Sequence, residues 1–170
     1  TSPFTGETGE DGMRIGSGWD IHRLEEGATL VLGGVVIPSA KGLVAHSDGD
    51  VLIHAIIDAI LGALAKGDIG THFPDTDPRF KGASSVDLLD HVVTKLLPPY
   101  SIGNIDTTII LKEPKLRPHV DSIRYSLADL LEVPIDHVSV KAKTAEGLLG
   151  ELGTGDAIEA HATVLLTIKG

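Results

Sequence analysis

Cysteine is absent from this chain, aromatic residues make up only 4% of it, and 14 Lys and Arg face 24 Asp and Glu. Without thiols there is no disulfide framework, no thiolate metal site and no cysteine nucleophile, so any metal must rest on imidazole and carboxylate. The formal net charge of −10 speaks against nucleic acid and against an anionic membrane as partners. An anionic small molecule stays open, because it needs only local cations or metals. The longest apolar run, Val51 to Ala65, is broken by His54 and Asp58 and is too short to span a bilayer. With so few rings, the core must be aliphatic.

What is present suits one compact domain. A chain of 170 residues with 42% hydrophobic content is long enough for a real core and short for two. Residues 1–12 (TSPFTGETGEDG) are polar and turn-rich, which predicts a disordered N-terminal tail. They lack the apolar stretch of a secretory signal and the arginines of a transit peptide.

Periodicity divides the rest. Met13 to Ile21 reads as a strand with Asp20 and His22 at its end. Residues i and i+2 of a strand share a side, so both can grip one ion. Thr29–Leu32 and Val35–Ile37 flank Gly33-Gly34, a hairpin signal. Residues 48–66 form a helix, with Ser47 and Asp50 as a capping-box-like start and Gly67 as its stop. Residues 67–82 are a long loop carrying Asp68, Asp75 and Asp77; loops of this length are usually functional, although Asp before Pro also simply closes turns. A second helix, capped by Ser84 or Ser85, runs to Leu97. The strand 103–111, the basic turn 112–117, a third helix from Pro118, and strands 137–143 and 158–168 complete the chain. This order predicts an α+β fold: a single domain, one mixed β-sheet, helices on one face. The other face, lined by small aliphatics, calls for a partner.

Asp50, His54 and Asp58 recur one turn apart on a helix that is otherwise apolar. A buried polar stripe must be satisfied by something. Asp20, His22 and His54 make a three-ligand N/O set with one open position, the layout of a catalytic zinc site. Asp58 could orient His54 from behind. His46 and Ser47, at the helix N-terminus, face a region suited to phosphate.

The motifs Gly-Trp-Asp-Ile-His at 18–22, His-Ser-Asp-Gly-Asp at 46–50 with His54, Gly-Asp-Ile-Gly at 67–70, Phe-Pro-Asp-Thr-Asp-Pro at 73–78 and Lys-Ala-Lys-Thr-Ala-Glu at 141–146 occur in that order. Together they resemble the 2-C-methyl-D-erythritol 2,4-cyclodiphosphate synthase family of the non-mevalonate isoprenoid pathway, over 13–170 as one synthase domain. The resemblance implies a homotrimer assembled around the sheet faces, with active sites at subunit interfaces. It implies conversion of 4-diphosphocytidyl-2-C-methyl-D-erythritol 2-phosphate to the cyclic diphosphate and CMP. Asp20, His22 and His54 would hold Zn²⁺, and Glu146 a Mg²⁺ or Mn²⁺. His46 and Ser47 would bind the 2-phosphate, with Asp68, Gly70, Phe73 and Asp75 around the methylerythritol. Leu111, Lys112, Pro114, Lys115, Leu116, Arg117, Ala142, Lys143 and Thr144 would form the cytidine and phosphate pocket on a neighbouring subunit. Lys143, Thr144 and Glu146 would act in catalysis.

This sequence departs from the family pattern at Trp19, where Phe or Tyr is usual, and at Lys143 and Ala145, where Thr is common. It also has no arginine in 150–155. A metal-dependent phosphohydrolase and a non-catalytic trimeric metal-binding scaffold are the other classes open to these residues. Localisation would be the plastid for a mature eukaryotic chain and the cytoplasm for a bacterial one.

Overall fold

A computed structural model describes residues 12–43 and 48–168. Strand β1 (Met13–Glu26) leads to a small hairpin, β2 (Leu30–Leu32) and β3 (Val35–Ile37), and then to β4 (Lys41–Leu43). Helix α1 (Val51–Ala63) and a one-turn α2 (Ile69–His72) follow. Helix α3 (Ser85–His91) widens into a π turn over Val92–Leu96 and reaches β5 (Tyr100–Ile110). Helix α4 (Val120–Leu131), β6 (Val138–Lys143), the short α5 (Glu151–Thr154) and β7 (Ala157–Ile168) close the chain.

Five strands form one mixed sheet in the order β4-β1-β7-β5-β6, antiparallel except for the β5–β6 pair. Helix α1 lies across β1 and β7, and α4 covers β6. Ten of its thirteen residues are buried, which explains why α1 is apolar around most of its circumference. The outer face of the sheet is uncovered in the single chain: Met13, Ile15, Trp19 and Ile21 are exposed there. The α+β, one-sided architecture read from periodicity is the one observed.

Several boundaries differ. Strand β1 runs five residues past Ile21, because β4, which the pattern did not reveal, pairs with its far end at Leu24–Glu26. Asp20 and His22 therefore sit inside a paired strand rather than at its tip. Helix α1 starts at Val51, with Asp50 as its own N-cap accepting the Ile53 N–H at 3.0 Å. It stops at Ala63 rather than 66: Ala65 takes a left-handed φ of 54°, and the Lys66 N–H returns to the Leu61 carbonyl at 2.9 Å. That closes the helix without waiting for Gly67. Arg14 of β1 donates to the Ala63 carbonyl at 2.6 Å, placing a cation at the helix's negative end.

The hairpin turn is as the two glycines foretold. Gly33 and Gly34 have φ of 61° and 80°, the pair of positive values a tight primed turn requires. Their N–H groups donate to Oδ1 and Oδ2 of Asp50 at 3.0 and 2.7 Å. One buried carboxylate thus fastens the hairpin to the start of α1. Of the predicted tail, only Gly12 is described; its carbonyl accepts the Ile168 N–H at 3.1 Å. His46 and Ser47 lie outside the described residues, so the phosphate-side expectation rests on sequence, whereas the cap expected at Ser47 is taken by Asp50.

Candidate active site

Alternation along β1 puts Asp20 and His22 on the sheet face that meets α1, and the helical repeat brings His54 down to them. Oδ2 of Asp20 lies 2.9 Å from Nε2 of His22 and 3.1 Å from Nδ1 of His54. The two ring nitrogens are 3.4 Å apart. Among the described residues these three form a group whose ligand atoms fall within 4.8 Å of one another, all partly buried. Burial works to raise the Asp20 carboxyl, but hydrogen bonds and charge from His22 and His54 hold it down to about 2. An ionised carboxylate with two imidazole nitrogens aimed at one point is a donor set suited to a borderline cation such as zinc.

Behind the triad the structure differs from expectation. Asp58 does lie one turn beyond His54, but its Oδ1 accepts the Ile69 N–H at 2.8 Å. It holds the start of α2. Burial raises its carboxyl, with that N–H pulling the other way. The partner behind His54 is Ser85, whose hydroxyl lies 2.8 Å from Nε2. Ser85 is hydrogen-bonded to Asp48 through its hydroxyl, and its N–H donates to Oδ2 of Asp48 at 3.1 Å. Sequence reasoning treated Ser84 and Ser85 as interchangeable caps. Ser84 is the cap, in a reciprocal capping box with Asp87, which frees Ser85 to turn inward. A second hydroxyl directly after a cap was the signal available.

A concavity of about 660 Å³ opens beside the triad, walled by His22, His54, Gly70, Phe73 and Asp75 among others. Phe73 stacks edge-on against Phe80 at 4.8 Å between centroids, which gives the hollow an apolar floor. Asp68 is not part of this wall; it caps α2, accepting from the Thr71 N–H at 2.9 Å and hydroxyl at 2.8 Å.

A second hollow, about 1030 Å³, lies at the β5–β6 end. Leu111, Lys112, Pro114, Lys115, Leu116 and Arg117 line one side of it, and Ala142, Lys143 and Thr144 the other. Lys141 also reaches it but is paired with Asp106 at 2.9 Å. Four other cations, Lys112, Lys115, Arg117 and Lys143, so concentrate at one mouth of an acidic protein. Glu146 stands just beyond this wall, exposed, with φ of 55° and its N–H donating to the Thr144 hydroxyl at 3.3 Å. The two hollows share no lining residue. The metal-capable side chains face α1, whereas alternation turns Lys141 and Lys143 to the opposite side of the sheet.

No described helix is long and apolar enough to cross a membrane. The model of the YgbB family matches residues 13–167. The chain is 57% identical over 155 residues to the 2-C-methyl-D-erythritol 2,4-cyclodiphosphate synthase of Trichlorobacter lovleyi, covering 91% of this chain and 98% of that one. The enzyme of the same name from Pelobacter propionicus is 55% identical over 159 residues, 93% of this chain and 100% of its own. A solved structure of a synthase of that name in a CDP-bound form superposes with a TM-score of 0.82 at 42% identity, covering 90% of this chain and 99% of that one.

Proposed function

The chain belongs to the YgbB family, and from that premise we propose how its two hollows divide one reaction. The chain converts 4-diphosphocytidyl-2-C-methyl-D-erythritol 2-phosphate to 2-C-methyl-D-erythritol 2,4-cyclodiphosphate with release of CMP, a phosphorus–oxygen lyase step of non-mevalonate isoprenoid precursor biosynthesis. The observation that carries the site assignment is the convergence of Asp20, His22 and His54 on one point beside the apolar hollow.

In this reaction an oxygen of the 2-phosphate attacks the β-phosphorus, the bond between the β-phosphorus and the bridging oxygen breaks, and CMP leaves with that oxygen. The nucleophile is already an anion, so no strong base is required. The difficulty is to bring anions together in line. A zinc ion held by Asp20, His22 and His54, and a Mg²⁺ or Mn²⁺ held by Glu146, would supply charge stabilisation to phosphoryl oxygens when bound. Lys143 and Thr144 offer a cation and a hydroxyl at the rim where the diphosphate would lie. Lys112, Lys115 and Arg117 neutralise the nucleotide end, which suits the CDP found with the relative. Gly70, Phe73 and Asp75 wall the methylerythritol side, with Asp68 beside them at the start of α2, and His46 and Ser47 take the 2-phosphate.

Within one chain the basic hollow, at the β5–β6 end, is lined by none of Asp20, His22 and His54. A homotrimer that packs the uncovered outer faces together would bring one chain's triad against its neighbour's basic hollow. The bacterial source of the curated relatives named above supports a cytoplasmic setting; the plastid alternative finds no support among them.

The test is turnover of the cytidyl substrate with zinc and Mg²⁺, followed by ³¹P spectroscopy. CMP and a cyclic diphosphate are expected in equal amounts. Release of inorganic phosphate without CMP would place the site among phosphohydrolases instead, and bound zinc without turnover among scaffolds.

A further inference from the structure

The group behind His54 is a chain of three side chains with a fixed proton order. Ser85 is wholly buried, and its single hydroxyl proton lies between two acceptors, the Asp48 carboxylate and His54 Nε2. A carboxylate can only accept, so the Ser85 proton goes to Asp48. The Ser85 oxygen is then left to accept, and the His54 Nε2–H donates to it across 2.8 Å. An imidazole with its proton on Nε2 carries its bare lone pair on Nδ1. Nδ1 is the atom that faces Asp20 and His22, at 3.1 and 3.4 Å.

We propose that Ser85 and Asp48 are positioning residues that hold His54 in the Nε2–H tautomer and fix its ring angle, and so set the affinity of the metal site. This rests on reading Asp20, His22 and His54 as that site. Carboxylate or carbonyl partners commonly lock ligating histidines this way. Here the lock is two steps long, Asp48 to Ser85 to His54, and it joins three separate segments: the residues before α1, the first turn of α3, and α1 itself. A purely structural role is the competing explanation, since Asp48 also receives the Ser85 N–H at the start of α3.

The two are separated by zinc affinity measured apart from stability. Ser85→Ala, Ser85→Thr, Asp48→Ala and the double alanine variant are made in the full chain, stripped of metal, and titrated with zinc against a competing chromophoric chelator. Thermal midpoints are taken in chelator alone. The inference predicts that Ser85→Ala weakens zinc binding by about 10–100-fold, that Ser85→Thr, which keeps the hydroxyl, restores most of it, and that the double variant loses little more than either single one. Zinc affinity equal to the parent's in folded Ser85→Ala overturns it. So does a loss that merely follows the folded fraction. If Ser85→Ala does not fold, the parent decides: zinc-loaded, it should show a solvent-protected His54 Nε2–H proton resonance that Asp48→Ala loses, and a freely exchanging proton in the parent overturns the lock. A parent that binds no zinc fails the metal reading itself and takes this inference with it.

Discussion

Gly18 lies so tightly under α1 that a Cβ on it would come 1.8 Å from the Ala55 carbonyl oxygen. Gly16 stands the same way beneath Ala59, at 2.0 Å. Two glycines on the inward side of β1 let the strand lie flat on the helix, and the next two inward residues are Asp20 and His22. The close approach is what brings strand and helix ligands to one point. Gly18→Ala must push the two apart. Overpacking of this kind costs about 1–3 kcal/mol, and the displacement should carry Asp20 away from His54. Denaturant unfolding and zinc titration should therefore both register the change. Parent-like stability together with parent-like zinc affinity would show that the elements can separate without consequence.

Asp50 predicts a pH dependence of stability. Burial pushes its carboxyl up to about 6, helped by the charge of Asp48 and opposed by the N–H groups of Gly34, Ile53 and Gly33. An acid whose value is raised on folding holds its proton more tightly in the native state. Its contribution thus declines as pH rises from about 4 to about 6, by up to about 1.4 kcal/mol per unit. Asp50→Asn cannot titrate, so the parent's stability relative to this variant should be most favourable near pH 4 and fall toward pH 7. Urea unfolding of both proteins in chelator, at intervals across that range, measures the gap. A gap that stays constant or widens with pH refutes the assignment.

Much of this arrangement was legible in the chain. Gly33-Gly34 gave the turn, the alternation from Ile158 to Ile168 gave the central strand, and the i+2 and i+4 spacings pointed Asp20, His22 and His54 inward. What escaped reading was tertiary. Three-residue β4 has no period to detect, yet its pairing extends β1 and moves the ligands into the sheet. Asp58 has the spacing of a His54 partner, but its carboxylate is taken by the Ile69 N–H at the start of α2. Ser85 and Asp48 are 37 residues apart, and only the packing of α3 on α1 joins them. The cap of α1 moved for a similar reason: Asp50 had the hairpin to hold as well as the helix.

Glu146→Gln should separate the two metals. A neutral amide is a poor ligand for Mg²⁺ or Mn²⁺, and Glu146 is not one of the residues that converge at the Asp20, His22 and His54 triad. The variant should keep its zinc and lose the dependence of turnover on added divalent metal. If Mg²⁺ titrates its activity as in the parent, the ligand is another residue.

Mixing two inactive variants tests whether sites are shared. His54→Ala damages the triad, and Glu146→Gln the exposed loop that would face it from the next subunit. Around a three-membered head-to-tail ring, every mixed trimer has one interface with both halves intact. Random equal co-refolding makes about three quarters of trimers mixed, so activity should recover to about a quarter of the parent's if sites act independently. Verified mixed trimers with no gain over the separate variants would place both halves in one chain.

If Asp20, His22 and His54 hold the metal that the reaction needs, CMP release must disappear with that metal. Metal content per chain and turnover of the cytidyl substrate, measured together on the parent and on His54→Ala, test it most directly. About one zinc per parent chain is expected, with a folded His54→Ala protein that has lost most of both zinc and CMP release. A His54→Ala protein that keeps its zinc and its turnover would contradict it.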